Sequence, residues 1–190
     1  MKFPPGSVGA TLMAMRGVWH DQIQLYHLNG DALDEDTWSG TPGSSPYENL
    51  VYVEFDGEQY RQTNVCFRGR PLHVRSFQGV LQDGLLRFAQ LGPQDPSHVG
   101  VAAGPGRIIF APIAVSPAWE KYVEPDVIEL LGPGQRLRTT LLYRHGNAAR
   151  TLHARGTLLS PDASRRLPYD PRGPDGPVHE LVRATQVFKE

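Results

Sequence analysis

The sequence predicts an all-β fold, an antiparallel up-and-down barrel of about ten strands with one short helix. Short segments rich in Val, Ile, Leu, Phe, Tyr and Thr recur along the chain, many with apolar and polar residues alternating. Tight-turn signals separate them, among them Asp56-Gly57, Asp83-Gly84 and the Gly-Pro-Gly runs at 104–106 and 132–134. With 190 residues, 39% of them hydrophobic, the chain suits a single domain with one core.

Residues 1–15 read as an N-terminal extension ahead of a barrel domain at 16–190. Pro4 and Pro5 interrupt the segment, and its apolar run falls well short of the roughly 20 residues that span a bilayer. Gly17–Leu28 is the first strand, with Trp19, Ile23 and Leu25 on one face and His20, Gln22 and Gln24 on the other. Asn29–Asn49 is a long polar connection near one mouth of the barrel, and it contains Trp38. Its acidic trio Asp34, Glu35 and Asp36 lacks the spacing and glycine of a calcium loop, so it reads as solvated surface.

A hairpin over Leu50–Phe67 turns at Asp56-Gly57. Strands at Leu72–Gln82, Leu85–Leu91, His98–Ala103 and Arg107–Pro112 continue the meander. Ser116–Asp126 is the expected helical turn, with Ser116 as cap, Pro117 at the first position and Pro125 ending it. Strands resume at Val127–Leu131, Leu137–Tyr143 and Ala148–Leu159. A Pro-rich loop at Ser160–Pro177 then precedes a last strand at Val178–Phe188.

Nineteen Lys and Arg against 20 Asp and Glu leave a net charge of −1, which provides no basic field for a nucleic-acid backbone. The single cysteine, Cys66, excludes an internal disulfide and fits a reducing cytoplasm. None of the seven histidines shows the spacing of a zinc protease helix. No G-x-S-x-G elbow is present, and the Gly-Pro-Gly runs lack the lysine of a phosphate loop. The expectation is a protein without a metal, a membrane span or a nucleic-acid partner; a homodimer stays compatible with the sequence.

The triplet Gly17-Val18-Trp19 on the first strand, followed by a meander, resembles the lipocalins and the wider calycin superfamily of ligand-holding barrels. The stretches YENLVYVEFDGEQYRQTNVCF, LGPQDPSHVGVAAGPGRIIF and EPDVIELLGPGQRLRTTLLYR are similar to a bacterial group of lipocalin-like proteins of unknown function. The resemblance implies that Trp19 packs across the closed end, with an arginine from a late strand over its ring. Arg183 is the first candidate and Arg155 the second, for a cation–π contact of roughly 0.5 to 2 kcal/mol. The chain lacks a clear secretion signal and the paired cysteines of secreted lipocalins, departures that weigh against an extracellular carrier.

With Gly69-Arg70 as a two-residue turn, Val65 pairs with Val74, Cys66 with His73, Asn64 with Arg75 and Gln62 with Phe77. One face is then apolar, carrying Val65, Phe67, Leu72 and Val74. The other carries Tyr60, Gln62, Asn64, His73 and Arg75. The ordinary rule sends the apolar face inward. The alternative turns the polar row inward, where Arg75 binds an anionic group such as a carboxylate while Gln62 and Asn64 orient it, with Tyr143 as a further ligand-binding candidate; exposure of both Arg75 and Gln62 to solvent would remove it. A ligand burying about 300 Å² gains about 7.5 kcal/mol against an association cost of at least about 4, so micromolar binding needs Arg75.

The sequence reading is therefore a binding protein for a small apolar or amphipathic ligand, with an anionic one as an option within that class. Its first alternative is a haem-holding barrel like the nitrobindins, with His153 as the axial ligand. A cofactor-free isomerase or lyase using His73 or Tyr143 as acid–base comes next. A filled barrel that only meets a partner surface is the last.

Overall fold

The computed structural model of the protein describes residues 2–36, 43–68, 73–88, 97–113, 125–144 and 146–164. Trp38, the expected helical turn from Ser116 as far as Glu124, and the expected last strand at Val178–Phe188, with Arg183, lie outside the described residues.

The described elements run α1 (Val8–Met15), β1 (Gly17–His27), β2 (Ala32–Leu33), β3 (Glu35–Asp36), β4 (Gly43–Ser44), β5 (Tyr47–Phe55), β6 (Gln59–Cys66) and β7 (His73–Gln82). They continue with β8 (Leu85–Phe88), β9 (His98–Ala102), β10 (Arg107–Pro112), β11 (Asp126–Gly132), β12 (Gln135–Arg144) and β13 (Asn147–Ser160). Each long strand pairs antiparallel with its neighbour in the order β13-β12-β11-β10-β9-β8-β7-β6-β5-β1, and β13 pairs back onto β1. Ten strands thus close into a barrel, as a meander of tight turns predicts. Closure is made by β13, with Ile23 opposite Ala154 and Leu25 opposite Leu152.

The long connection after β1 is more ordered than a loop. β2 adds to β1, and β3 pairs with β4 to form a small flap that is separate from the barrel sheet.

Residues 1–15, set apart by the sequence reading, supply the one helix among the described residues. Ser7 caps α1, its Oγ accepting from the Ala10 amide at 3.2 Å. Val8, Leu12 and Met15 are buried against Trp19, Val51, Val53, Phe55, Ile108 and Phe110. The indole Nε1 of Trp19 donates to the Met15 carbonyl at 2.8 Å, tying the helix end to the first strand. Trp19 therefore lies at an end closed by α1. A second cluster, Ile23, Leu25, Leu33, Leu142, Leu152 and Ala154, lines the inner side farther along β1.

Candidate ligand-binding site

The β6–β7 register is the one the two-residue turn predicts: Val65 opposite Val74, Cys66 opposite His73, Asn64 opposite Arg75 and Gln62 opposite Phe77. Which face points inward follows from the neighbours. Trp19 pairs with Val51, Val51 with Asn64, and Val53 with Gln62, so Asn64 and Gln62 share the side of Trp19 and of the inner cluster. This corrects the ordinary expectation for the hairpin. Val65 lies instead on the outer wall, buried in a cluster with Val18, Leu50 and Tyr52, against which Phe67 and Val74 pack.

The inward row is ordered from the closed end upward. Tyr60 is buried, its ring edge-on to Phe88 at 5.8 Å. Its hydroxyl donates to Oε1 of Gln62 at 2.5 Å, and Nε2 of Gln62 donates to Oδ1 of Asn64 at 2.8 Å. Each amide is thereby oriented, and Asn64 stands opposite Arg75 on the neighbouring strand. Gln62, Asn64 and His73 are half-buried. Arg75 is exposed although it belongs to the inner face, and its guanidinium lies 5.8 Å from the centre of the Phe77 ring. Tyr143 is half-buried at a register irregularity on β12, on the far side of the barrel from β7.

Burial pushes the Tyr60 phenol well above the ordinary tyrosine range, opposed by the positive fields of Arg136 and Arg138 and assisted by Asp126. These three groups stand on β11 and β12, across the interior. Arg138 pairs with Asp126 at 3.0 Å, and Thr140 hydrogen-bonds the same carboxylate. Burial likewise raises the Cys66 thiol, while Arg68 and Arg75 pull it down.

The arginine over Trp19 is Arg136, a residue the sequence reading missed. Its guanidinium sits 4.5 Å from the ring centre and grips Asp21 in two-pronged fashion, with Nη2 2.7 Å from Oδ2 and Nε 3.1 Å from Oδ1. Arg155, the second candidate, is exposed opposite Gln22 on the outer wall and does not reach the indole. Gly17 is at φ +128°, and a Cβ there would meet the Ser160 carbonyl at 2.2 Å, so the strand entry requires glycine.

His153 is exposed on the outer wall, opposite Gln24, with its ring 5.1 Å from that of Tyr26. It cannot ligate a haem held inside the barrel, which corrects that alternative.

The acidic trio also departs from expectation. Asp34 and Glu35 are exposed, but Asp36 is fully buried. Its carboxylate pairs with Arg68 at 3.3 Å and with Arg150. Arg68 is itself buried and stacks 4.6 Å over Tyr47. No group of three or more metal-ligating side chains occurs among the described residues. A groove of about 430 Å³, lined by Arg16, Arg61, Gln78 and Asp162 among others, lies against the outside of the β5–β6 hairpin. No described helix is long and apolar enough to cross a membrane.

The fold is a closed ten-stranded antiparallel barrel, plugged at one end by a helix and carrying polar groups on its inner side. Among solved structures it resembles the S-type phycobiliprotein lyase CPES from Guillardia theta, with a TM-score of 0.57 and 11% identity over 80% of this chain and 92% of that one. It also resembles a protein of unknown function from the DUF3598 family of Nostoc punctiforme, with a TM-score of 0.56 and 12% identity over 77% of this chain. The match takes in 48% of the Nostoc protein, so the chain spans about half its length. Neither a family model nor a curated protein matches the sequence.

Proposed function

We propose that the barrel holds a small amphipathic molecule that carries a carboxylate. The observation that carries this reading is the charge of the inner wall. Among the described residues, five arginines (Arg68, Arg75, Arg136, Arg138 and Arg150) stand on the inner side or at its mouth against three aspartates (Asp21, Asp36 and Asp126), in a chain whose net charge is −1. Positive charge concentrated inside a low-dielectric wall favours an anion there. Arg75 is the group for direct contact, because it belongs to the inner face opposite Asn64; its exposure counts against a deep pocket, whereas Gln62 is half-buried as the pocket requires. Phe77 and the inner apolar residues take the rest of the ligand. Likeness to the Guillardia theta lyase supports a container at the level of fold.

His73 and Tyr143 stand on opposite walls, so the acid–base alternative gains no support from their placement. The test is a fluorescence titration with a polyene fatty acid, cis-parinarate, beside its methyl ester. Arg75→Ala should weaken the acid about tenfold, equivalent to about 1.4 kcal/mol, and leave the ester unchanged. Failure of the wild-type protein to bind either probe would instead favour a filled barrel that meets only a partner surface.

A further inference from the structure

The flap supplies its own anion to the barrel mouth. Arg68 follows β6, and Arg150 stands on the inner side of β13 between Leu142 and His27. Between them lies the Asp36 carboxylate, one oxygen on each guanidinium. Every nitrogen of Arg68 is turned to the flap: Nη1 to Asp36, Nη2 to the Gly43 carbonyl at 2.5 Å and Nε to the Ser44 carbonyl at 2.6 Å. Flap and wall are in close contact here, since a Cβ on Gly43 would sit 2.9 Å from Cγ of Arg68.

We infer that Arg68 and Arg150 form a carboxylate subsite which Asp36 occupies in the closed state, so that an incoming carboxylate displaces the flap by taking the place of Asp36. The inference rests on the proposed function for the ligand and adds where its acid group first docks and what must leave. Three features support exchange over a fixed strut. The flap is a separate two-stranded sheet, outside the barrel ladder. Asp36 is an aspartate on a short flap, not a residue of the wall, so its departure breaks no rung of the barrel ladder; what is given up are the Arg68 bonds to the Gly43 and Ser44 carbonyls, while Ser45 Oγ anchors the flap base to Gln24 and the Leu25 amide. A paired, planar guanidinium also offers a carboxylate the same geometry whether it comes from the chain or from solution.

The test compares wild type, Asp36→Asn and Asp36→Asn/Arg150→Ala with cis-parinarate and its methyl ester. Removing the internal competitor should tighten acid binding about tenfold, leave the ester unchanged, and lose that gain when Arg150 is also removed. An equal gain for acid and ester would reduce the flap to a steric door and overturn the subsite. So would no gain at all, or a gain that survives Arg150→Ala. Should Asp36→Asn fail to fold, Gly43→Ala opens the same contact with every charge kept and is read in the same titration.

If no variant binds either probe, the proposed function fails and the subsite is judged separately. Amide hydrogen exchange at Ser45, whose N–H bonds the Asp34 carbonyl at 2.7 Å, is then followed in sodium acetate and in sodium chloride of equal ionic strength. Faster exchange in acetate alone, absent in Arg150→Ala, supports the subsite; equal exchange in both salts overturns it.

Discussion

A methyl group on Gly156 would lie 2.4 Å from Oδ1 of Asp21 and 2.7 Å from Cγ of Arg136. That glycine is the gap through which β12 reaches across β13 to β1, and it lets one guanidinium serve both Asp21 and Trp19. Gly156→Ala should therefore cost about 3 kcal/mol in urea unfolding, as loss of one member of a buried pair does. Tyr60 offers a pH test. Its folded value is raised, so the folded state keeps a proton that the unfolded chain releases above about pH 10. Its contribution is whole below that pH and falls as pH rises further. Wild type should lose stability there more steeply than Tyr60→Phe, read as chemical denaturation midpoints across alkaline pH. Gly17 and Trp19 were legible because three adjacent residues carry the signal. Arg136 was not, because its aspartate lies 115 positions away and only the closed sheet brings the two together.

At the scale of elements, α1 works as the stopper of the barrel. Leu12 is fully buried among Trp19 and its neighbours, so Leu12→Ala should cost about 2 to 5 kcal/mol, whereas loss of the Ser7 cap in Ser7→Ala should cost about 1. Equilibrium unfolding in urea measures both, and a small effect at Leu12 would show that the plug is dispensable. The helix escaped the sequence reading for physical reasons. It is eight residues long, follows Pro4 and Pro5, and has no acidic residue in its first turn and no basic one in its last. The strands were legible because turn dipeptides fix register locally, and the β6–β7 pairing followed from Gly69-Arg70 alone. Its facing did not follow. A hairpin with an apolar outer wall and a polar inner one inverts the usual rule, and only the pairing of Asn64 with Val51 and of Val51 with Trp19 decides it. Asp36 was hidden in the same way, since its two exposed neighbours gave the trio the composition of a solvated turn.

The whole molecule is a meander closed by its first and last described strands, so each long wall strand has a neighbour on both sides. One end is sealed by α1, while the flap, Arg68 and Arg150 stand toward the other. On the proposed reading, the accessible Arg75 makes binding of a carboxylate sensitive to salt. Raising ionic strength should weaken the affinity for cis-parinarate and spare its methyl ester, because exposed charges are screened within about 10 Å at 0.1 M. Equal response of acid and ester would remove Arg75 from the recognition step.

The inner wall's surplus of arginine has a kinetic consequence. Because the chain as a whole is slightly negative, whatever positive charge is sequestered within leaves the exterior more negative still. On the proposed reading, an acid held within must climb out of the favourable inner field to leave, so slow release is the expected kinetic signature, a profile suited to safekeeping more than to rapid shuttling.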